Sequence, residues 1–198
     1  MRALGLVLVY LIGAIPVGFL IARAAGGIDI RGKGSGTIGA TNVLRTLGPM
    51  PAVLTLLGDI VKGFAAVRAA EIFGPDPAWG AAGALLAIAG NCWPVFLRFK
   101  GGKGVATALG AFLALTPAAI VPAAIVWIVI VAAFRYVSLA SILASVTLPL
   151  GGWILGYPSI YAASAACAAA LILWRHHENV KRLLSGTERR LGQRASAA

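Results

Sequence analysis

The segment Gly32-Lys33-Gly34-Ser35-Gly36-Thr37-Ile38-Gly39-Ala40-Thr41-Asn42-Val43-Leu44-Arg45 concentrates residue types that bind phosphate. Gly34, Gly36 and Gly39 permit backbone angles that other residues resist, so successive amide N–H groups can converge on one anion. Thr41 or Asn42 suits the N-cap of a following helix, whose first N–H groups and positive dipole end favour the same anion. Ser35 and Thr37 add hydroxyls, and Arg45 adds a guanidinium fork that matches a phosphate. A flexible loop with solvated charges is the competing reading, but it does not explain why these groups occur together.

A second segment, Phe99-Lys100-Gly101-Gly102-Lys103-Gly104-Val105-Ala106-Thr107, places Lys100 and Lys103 among three glycines. It is not a nucleotide-binding Walker loop. That pattern needs glycine where Leu97 stands and Ser or Thr where Gly104 stands. A compact cationic loop for a phosphate ester fits instead. A third segment is Arg175-His176-His177-Glu178-Asn179. On a helix His176 and Asn179 share a face, and His176 is a candidate base or hydrogen-bond donor. The histidines are adjacent and so point to different faces of a helix, and neither a metal nor a cofactor is expected. Asp59 and Lys62, at i, i+3, are a candidate buried pair. Ser138 and Ser141, just after Arg135, either line a site or bond back to helix carbonyls.

These residues need elements to hold them, and the composition says of what kind. Sixty per cent of the residues are hydrophobic, 12% are charged, and the mean hydropathy is +0.90. A soluble domain of this length carries about twice that charge fraction. The chain therefore reads as one polytopic membrane domain over residues 1–198, all-α, with about seven transmembrane helices. The expected spans are Ala3–Ala22, residues 51–70, Trp79 to about Phe96, Val105–Leu115, Ala118–Phe134, Val137–Leu155 and Ile160–Trp174. The fourth is short and is either a span beginning in the preceding loop or a re-entrant piece. The first run is too long for a cleaved signal peptide. Cys92 and Cys167 read as small buried hydrophobes.

The net charge of +11 would suggest nucleic acid in a soluble protein. Here the basic residues lie between apolar runs and alternate in sidedness. Arg23, Arg31, Lys33, Arg45, Arg98, Lys100, Lys103, Arg135, Arg175, Lys181, Arg182, Arg189, Arg190 and Arg194 fall on one set of connections, fourteen of the 17 Lys and Arg. The opposite connections, near 71–78, 116–118 and 156–159, carry none. The positive-inside rule then puts the N-terminus outside and the C-terminus in the cytoplasm, which requires an odd number of spans. No nucleic-acid partner is expected.

Taken together the segments resemble the acyl-phosphate-dependent glycerol-3-phosphate acyltransferase family, the PlsY type. The resemblance lies in Gly34–Asn42 with Arg45, in Gly90-Asn91-Cys92-Trp93-Pro94 running into Phe99–Thr107, in Arg135–Ser141, and in His176–Asn179 with Gly186-Thr187-Glu188. It implies a bacterial inner-membrane enzyme with its site facing the cytoplasm and seven spans. It implies transfer of a fatty acyl group from acyl phosphate to the 1-hydroxyl of sn-glycerol 3-phosphate, giving lysophosphatidic acid and phosphate. A functional link to an acyl-ACP phosphate acyltransferase follows. Two positions depart from the family pattern. Asn91 stands where histidine is usual, and Thr37 where asparagine is usual. The first shifts weight for acid–base work onto His176.

With phosphate already a good leaving group, the enzyme mainly has to position its substrates and neutralise charge. Ser35, Arg45, Lys103, His176 and Asn179 are the expected catalytic residues. Gly34, Gly36, Thr37, Gly39, Thr41, Asn42, Lys100, Gly101, Gly102, Gly104, Ser138 and Ser141 are expected to bind substrate, while Asp59, Lys62 and Glu188 are structural. Either His176 or a substrate phosphate takes the hydroxyl proton, and either loop can serve either substrate. The rival reading, a small permease for phosphorylated metabolites, is disfavoured by short, uncharged outer connections. A membrane scaffold without chemistry leaves the three anion-binding segments unexplained.

Overall fold

A computed structural model describes residues 2–193; Met1, and Arg194 of the basic tail, lie outside the described residues. All described regular structure is helical. The order is α1 (Arg2–Ala14), α2 (Val17–Gly26), α3 (Ala40–Leu47), α4 (Pro49–Phe73), α5 (Pro77–Cys92), α6 (Val105–Leu115), α7 (Pro117–Phe134), α8 (Val137–Ile154), α9 (Ser159–Arg175) and α10 (His177–Leu184). Single 3-10 turns lie at Ile30–Gly32 and Val95–Leu97. Three helices start on proline, Pro49, Pro77 and Pro117, where the missing N–H costs nothing. Asp76 caps α5 by accepting from Ala78 N at 2.7 Å.

Among the described residues, five segments are long and apolar enough to cross a membrane: Arg2–Gly26, Pro49–Phe73, Pro77–Leu97, Pro117–Phe134 and Val137–Ile154. The apolar α6 and α9 are shorter, at 11 and 17 residues. The seven expected apolar segments therefore all appear, with boundaries shifted by up to a few residues, but two fall below the length of an untilted span. Helix α6 starts at Val105, after the loop, and is buried over most of its length. Its ends thus lie against protein rather than lipid.

The first expected span is not continuous. Pro16 lacks the N–H to extend α1 and separates it from α2. The Ile15 carbonyl at the break is taken up by Val17 N at 3.0 Å and by the Lys62 ammonium at 2.8 Å. Lys62 also donates to Asn91 Oδ1 at 2.9 Å and pairs with Asp59 at 2.7 Å. The Asp59–Lys62 pair is therefore real and buried, and it joins α1, α4 and α5 at the kink.

Helix α4 lies against α5 and α6, α7 pairs with α8, and α9 closes the bundle between α8 and α5. Small residues permit this. A Cβ on Gly63 would collide with the Thr107 carbonyl, and one on Gly110 with the Ile60 carbonyl, so α4 and α6 touch backbone to backbone. The main core runs through α4–α9, around Val67, Phe112, Leu115 and Ile172. A second cluster of Ala22, Ile30, Ile38, Val43, Ala52 and Leu97 anchors α2, α3 and the loop between them. Large apolar side chains such as Leu57, Val61, Val121, Ile125 and Val129 are exposed on the outer faces of α4 and α7, as lipid contact requires.

Candidate functional site

The loop before α3 is shaped from within by one side chain. Asn42 is fully buried. Its Nδ2 donates to the carbonyls of Ile30, Lys33 and Thr37 at 3.2, 3.0 and 2.8 Å, and its Oδ1 accepts from Ser35 N at 2.8 Å. Neither Thr41 nor Asn42 caps the helix as expected. Gly39 is the N-cap, and Asn42 lies inside α3 with its amide committed to the loop. Asn42 is thus the loop's staple, and its free hydrogen-bonding capacity for a ligand is small. The loop holds Ser35 Oγ 3.1 Å from Thr37 Oγ1.

The second loop is held by its glycines. Gly102 N donates to Asn91 O at 2.9 Å, and Arg175 donates twice to Gly102 O, at 3.1 and 2.9 Å. Gly104 has φ +83°, and a Cβ there would meet Ile88 at 2.7 Å. Only glycine fits, and it lets α6 begin immediately after Lys103. The loop therefore turns Lys103 inward, while Lys100 is exposed.

The third segment completes the site. Lys103 Nζ donates to Asn179 Oδ1. Asn179 Nδ2 donates to Glu188 Oε1 at 2.7 Å, and Ser138 Oγ donates to the same oxygen at 2.7 Å. Arg182 Nε donates to Glu188 Oε2 at 2.8 Å. Glu188 is thus the hub that ties α8 and α10 to Lys103. Burial alone would raise its pKa, but the bonds from Ser138, Asn179 and Arg182 outweigh it and hold the carboxyl below its ordinary value. Burial pulls the Lys103 ammonium down to about 8, against the raising pull of Glu188. Burial, then Lys103, pulls His176 down to about 4, so the ring is neutral at physiological pH. Its Nδ1 lies 2.8 Å from Ile172 O. A carbonyl only accepts, which assigns the proton to Nδ1 and leaves the Nε2 lone pair free.

These groups line one cavity of about 650 Å³. Gly34, Ser35, Thr37, Gly39, Thr41, Asn42, Arg45, Asp59, Lys103, Gly104, Ser138, Ser141, His176, Asn179 and Glu188 all border it. Gly36, Lys62, Lys100, Gly101 and Gly102 do not; the last two support the loop from behind, and Lys100 points to solvent. Arg45 Nη2 donates to Arg189 O at 3.3 Å, while its Nε is buried without a partner among the described residues. Burial lowers the pKa of the Arg45 guanidinium. Ser141 both borders the cavity and bonds back to Val137 O at 2.8 Å, while accepting from Trp127 at 3.3 Å. Arg182 and Arg189 are wall residues that sequence reasoning assigned only to a basic tail. Arg182 was detectable, since it follows His176 and Asn179 at three-residue spacing. Arg189 was not, because a turn at Gly186 brings it in.

The cavity has two chemistries. One end carries cations, hydroxyls and loop amides; the other continues between α7, α8 and α9 along Ala123, Leu148, Ala165 and Ala168. A family model described as glycerol-3-phosphate acyltransferase matches residues 3–186. The chain belongs to the glycerol-3-phosphate acyltransferase family. This family member is 46% identical over 186 residues to the glycerol-3-phosphate acyltransferase of Rubrobacter xylanophilus, covering 94% of this chain and 93% of that one. It is also 46% identical over 201 residues to that of Desulforudis audaxviator, covering 98% and 100%. Among solved structures it is similar to PlsY (YgiH), an integral membrane glycerol 3-phosphate acyltransferase, in its glycerol 3-phosphate form. The TM-score is 0.90 at 43% identity, with 96% of each chain covered. The lysophosphatidic acid form of PlsY matches with a TM-score of 0.88 at 42% identity, covering 96% and 95%. This family member is accordingly a multi-pass membrane protein.

Proposed function

We propose that this protein transfers a fatty acyl group from acyl phosphate to the 1-hydroxyl of sn-glycerol 3-phosphate. The observation that carries this is the single cavity whose cationic end and long apolar end meet at Lys103, His176 and Asn179. Both substrates bear phosphate, and only one bears a long tail; the two halves of the cavity match that pairing. The likeness to a protein solved with glycerol 3-phosphate and with lysophosphatidic acid supports the same reading.

In this mechanism Ser35, Thr37 and Arg45 hold one phosphate, with the unpartnered Arg45 Nε as a waiting donor. Lys103 neutralises charge at the acyl phosphate. The glycerol hydroxyl attacks the acyl carbonyl carbon, the new C–O ester bond forms, and the bond from that carbon to the phosphate oxygen breaks. His176 Nε2 accepts a hydrogen bond from the hydroxyl and aims it. A base with a value of about 4 is too weak to keep the proton at neutral pH. The departing phosphate oxygen, which keeps the electron pair of the broken bond, is the better final acceptor, and it takes the proton to leave as hydrogen phosphate. Asn179 and Glu188 fix Lys103, and no metal or cofactor enters. The chain spans the inner membrane seven times, N-terminus outside and C-terminus inside. The site faces the cytoplasm, where an acyl-ACP phosphate acyltransferase would supply the donor.

Purified protein in nanodiscs should release inorganic phosphate from acyl phosphate only when glycerol 3-phosphate is present, with equimolar lysophosphatidic acid. Equal transfer from acyl-CoA or acyl-ACP, or phosphate release without the acceptor, would overturn the reading.

A further inference from the structure

The apolar end of the cavity has a definite bottom. On α8 its wall runs from Ser138 to Leu148, and on α9 from the level of His176 to Ala165. At 1.5 Å per helical residue both walls are about 15 Å long. Beyond them the helices close. Gly151 of α8 is so near α7 that an added Cβ would stand 3.4 Å from Ala119 and 3.5 Å from Pro122. The next residue, Gly152, faces Ala162 of α9 at 4.0 Å by the same measure. Leu148 is 7% exposed and packs in the same core as Ala119, Ala123 and Ala165, so it stands on the floor rather than over an opening. The α9 wall is stepped in alanine: Ala169 and Ala165 lie at successive depths on one face, and neither projects into the cavity beyond a methyl group.

We infer that Leu148 and the Ala165–Ala169 face form a ruler that sets the length of acyl chain held in the cavity. This inference rests on the acyl-transfer reading above, since it assigns the well to the donor's tail. A saturated chain of roughly 1.5 Å bonds in zigzag advances about 1.25 Å per carbon. A 15 Å well therefore seats about 12 carbons from the carbonyl at His176 to the floor. Longer chains cannot seat further carbons above the floor and gain nothing more from the well. Depth along α9 is then a scale: a leucine at Ala165 fills the bottom, and one at Ala169, about 10 Å from His176, stops the chain near eight carbons.

The test uses monoalkyl phosphates of 8 to 18 carbons, which bind without reacting, titrated onto purified protein in one detergent. For the wild type, affinity should climb about fourfold per added carbon and level off near 12. Leu148→Ala should move the break two to three carbons longer, Ala165→Leu about two shorter, and Ala169→Leu down to about eight. Breaks that coincide in all variants, or that do not follow helix order, would overturn the ruler, as would a wild type without a break. Should either leucine variant fail to fold, Leu148→Ala, which only removes atoms, still decides the question. Acyl transfer assayed in parallel separates the two claims. Length-graded binding without transfer to glycerol 3-phosphate refutes the reaction alone, and transfer with coincident breaks refutes the ruler alone.

Discussion

Glu188→Gln keeps the shape of the hub and removes its charge, and its effect on Lys103 can be worked out. The carboxylate and the ammonium are separated by the Asn179 amide, with a hydrogen bond on either side. Typical hydrogen-bond lengths put the charges about 7 Å apart. At an effective dielectric constant of about 20 that is an attraction of roughly 2 kcal/mol, equivalent to between one and two pH units on Lys103. In the wild type Lys103 stays charged up to about 8. Removing the anion lowers that point, so the ammonium is lost at lower pH. The rate with saturating substrates should therefore fall above pH 8 in the wild type, and in Glu188→Gln the falling limb should move to between pH 6 and 7. At pH 6 the two proteins should differ far less than at pH 8. The assay is phosphate release from acyl phosphate across pH 5.5–9.5, on protein whose folding is checked by thermal unfolding. An equal loss at every pH would refute the reasoning, because it would make Glu188 a packing element rather than the counter-charge of Lys103.

Lys62→Met should lower stability by about 3–5 kcal/mol, a drop in Tm on the order of 10 °C, because Asp59 and the Ile15 carbonyl lose their partner in the interior. Adding Asp59→Asn should restore part of it; no recovery would show that the pair is not coupled. Asn42→Ala removes four hydrogen bonds from the Ile30–Thr37 loop, at about 1 kcal/mol each. The loop should then be cut by trypsin at Lys33 several times faster, and unchanged cutting would remove Asn42 as the staple. His176 ionises near 4 in the folded protein against 6.5 for a free side chain. Between those values the unfolded chain binds a proton that the folded chain refuses. Stability is therefore intact above about 6.5 and lost as pH falls toward 4, by up to about 3 kcal/mol. Thermal unfolding from pH 7 to 4 should show this, and His176→Gln should flatten it.

Most of the site was legible because its chemistry is written in local spacing. The glycines around Ser35 and Lys103, and the three-residue step from His176 to Asn179, each belong to one short segment. What misled local reading was competition among partners. Asn42 has the right type and place for a helix cap, yet four loop groups claim its amide. Lys100 and Lys103 sit in the same loop, and only the positive φ of Gly104 and the packing of Gly101 and Gly102 on Asn91 decide which faces inward. Pro16 announces a break, but nothing near it in sequence says that Lys62, 47 residues away, will take up the Ile15 carbonyl.

Apolar run lengths, proline and glycine punctuation and the placement of Lys and Arg determine by themselves that this chain is a helical membrane protein with glycine-rich cationic loops between its helices. Those properties depend on the residues in a window and on the solvent around it. The tertiary structure alone decided that Lys103, Asn179, Glu188, Ser138 and Arg182 form one hydrogen-bonded chain. It alone decided that this chain sits at the mouth of a well between α7, α8 and α9. Both rest on distances between segments up to about 150 residues apart, as for Arg45 and Arg189. Such distances are set by how closely alanine and glycine let the helices approach, which no single segment contains.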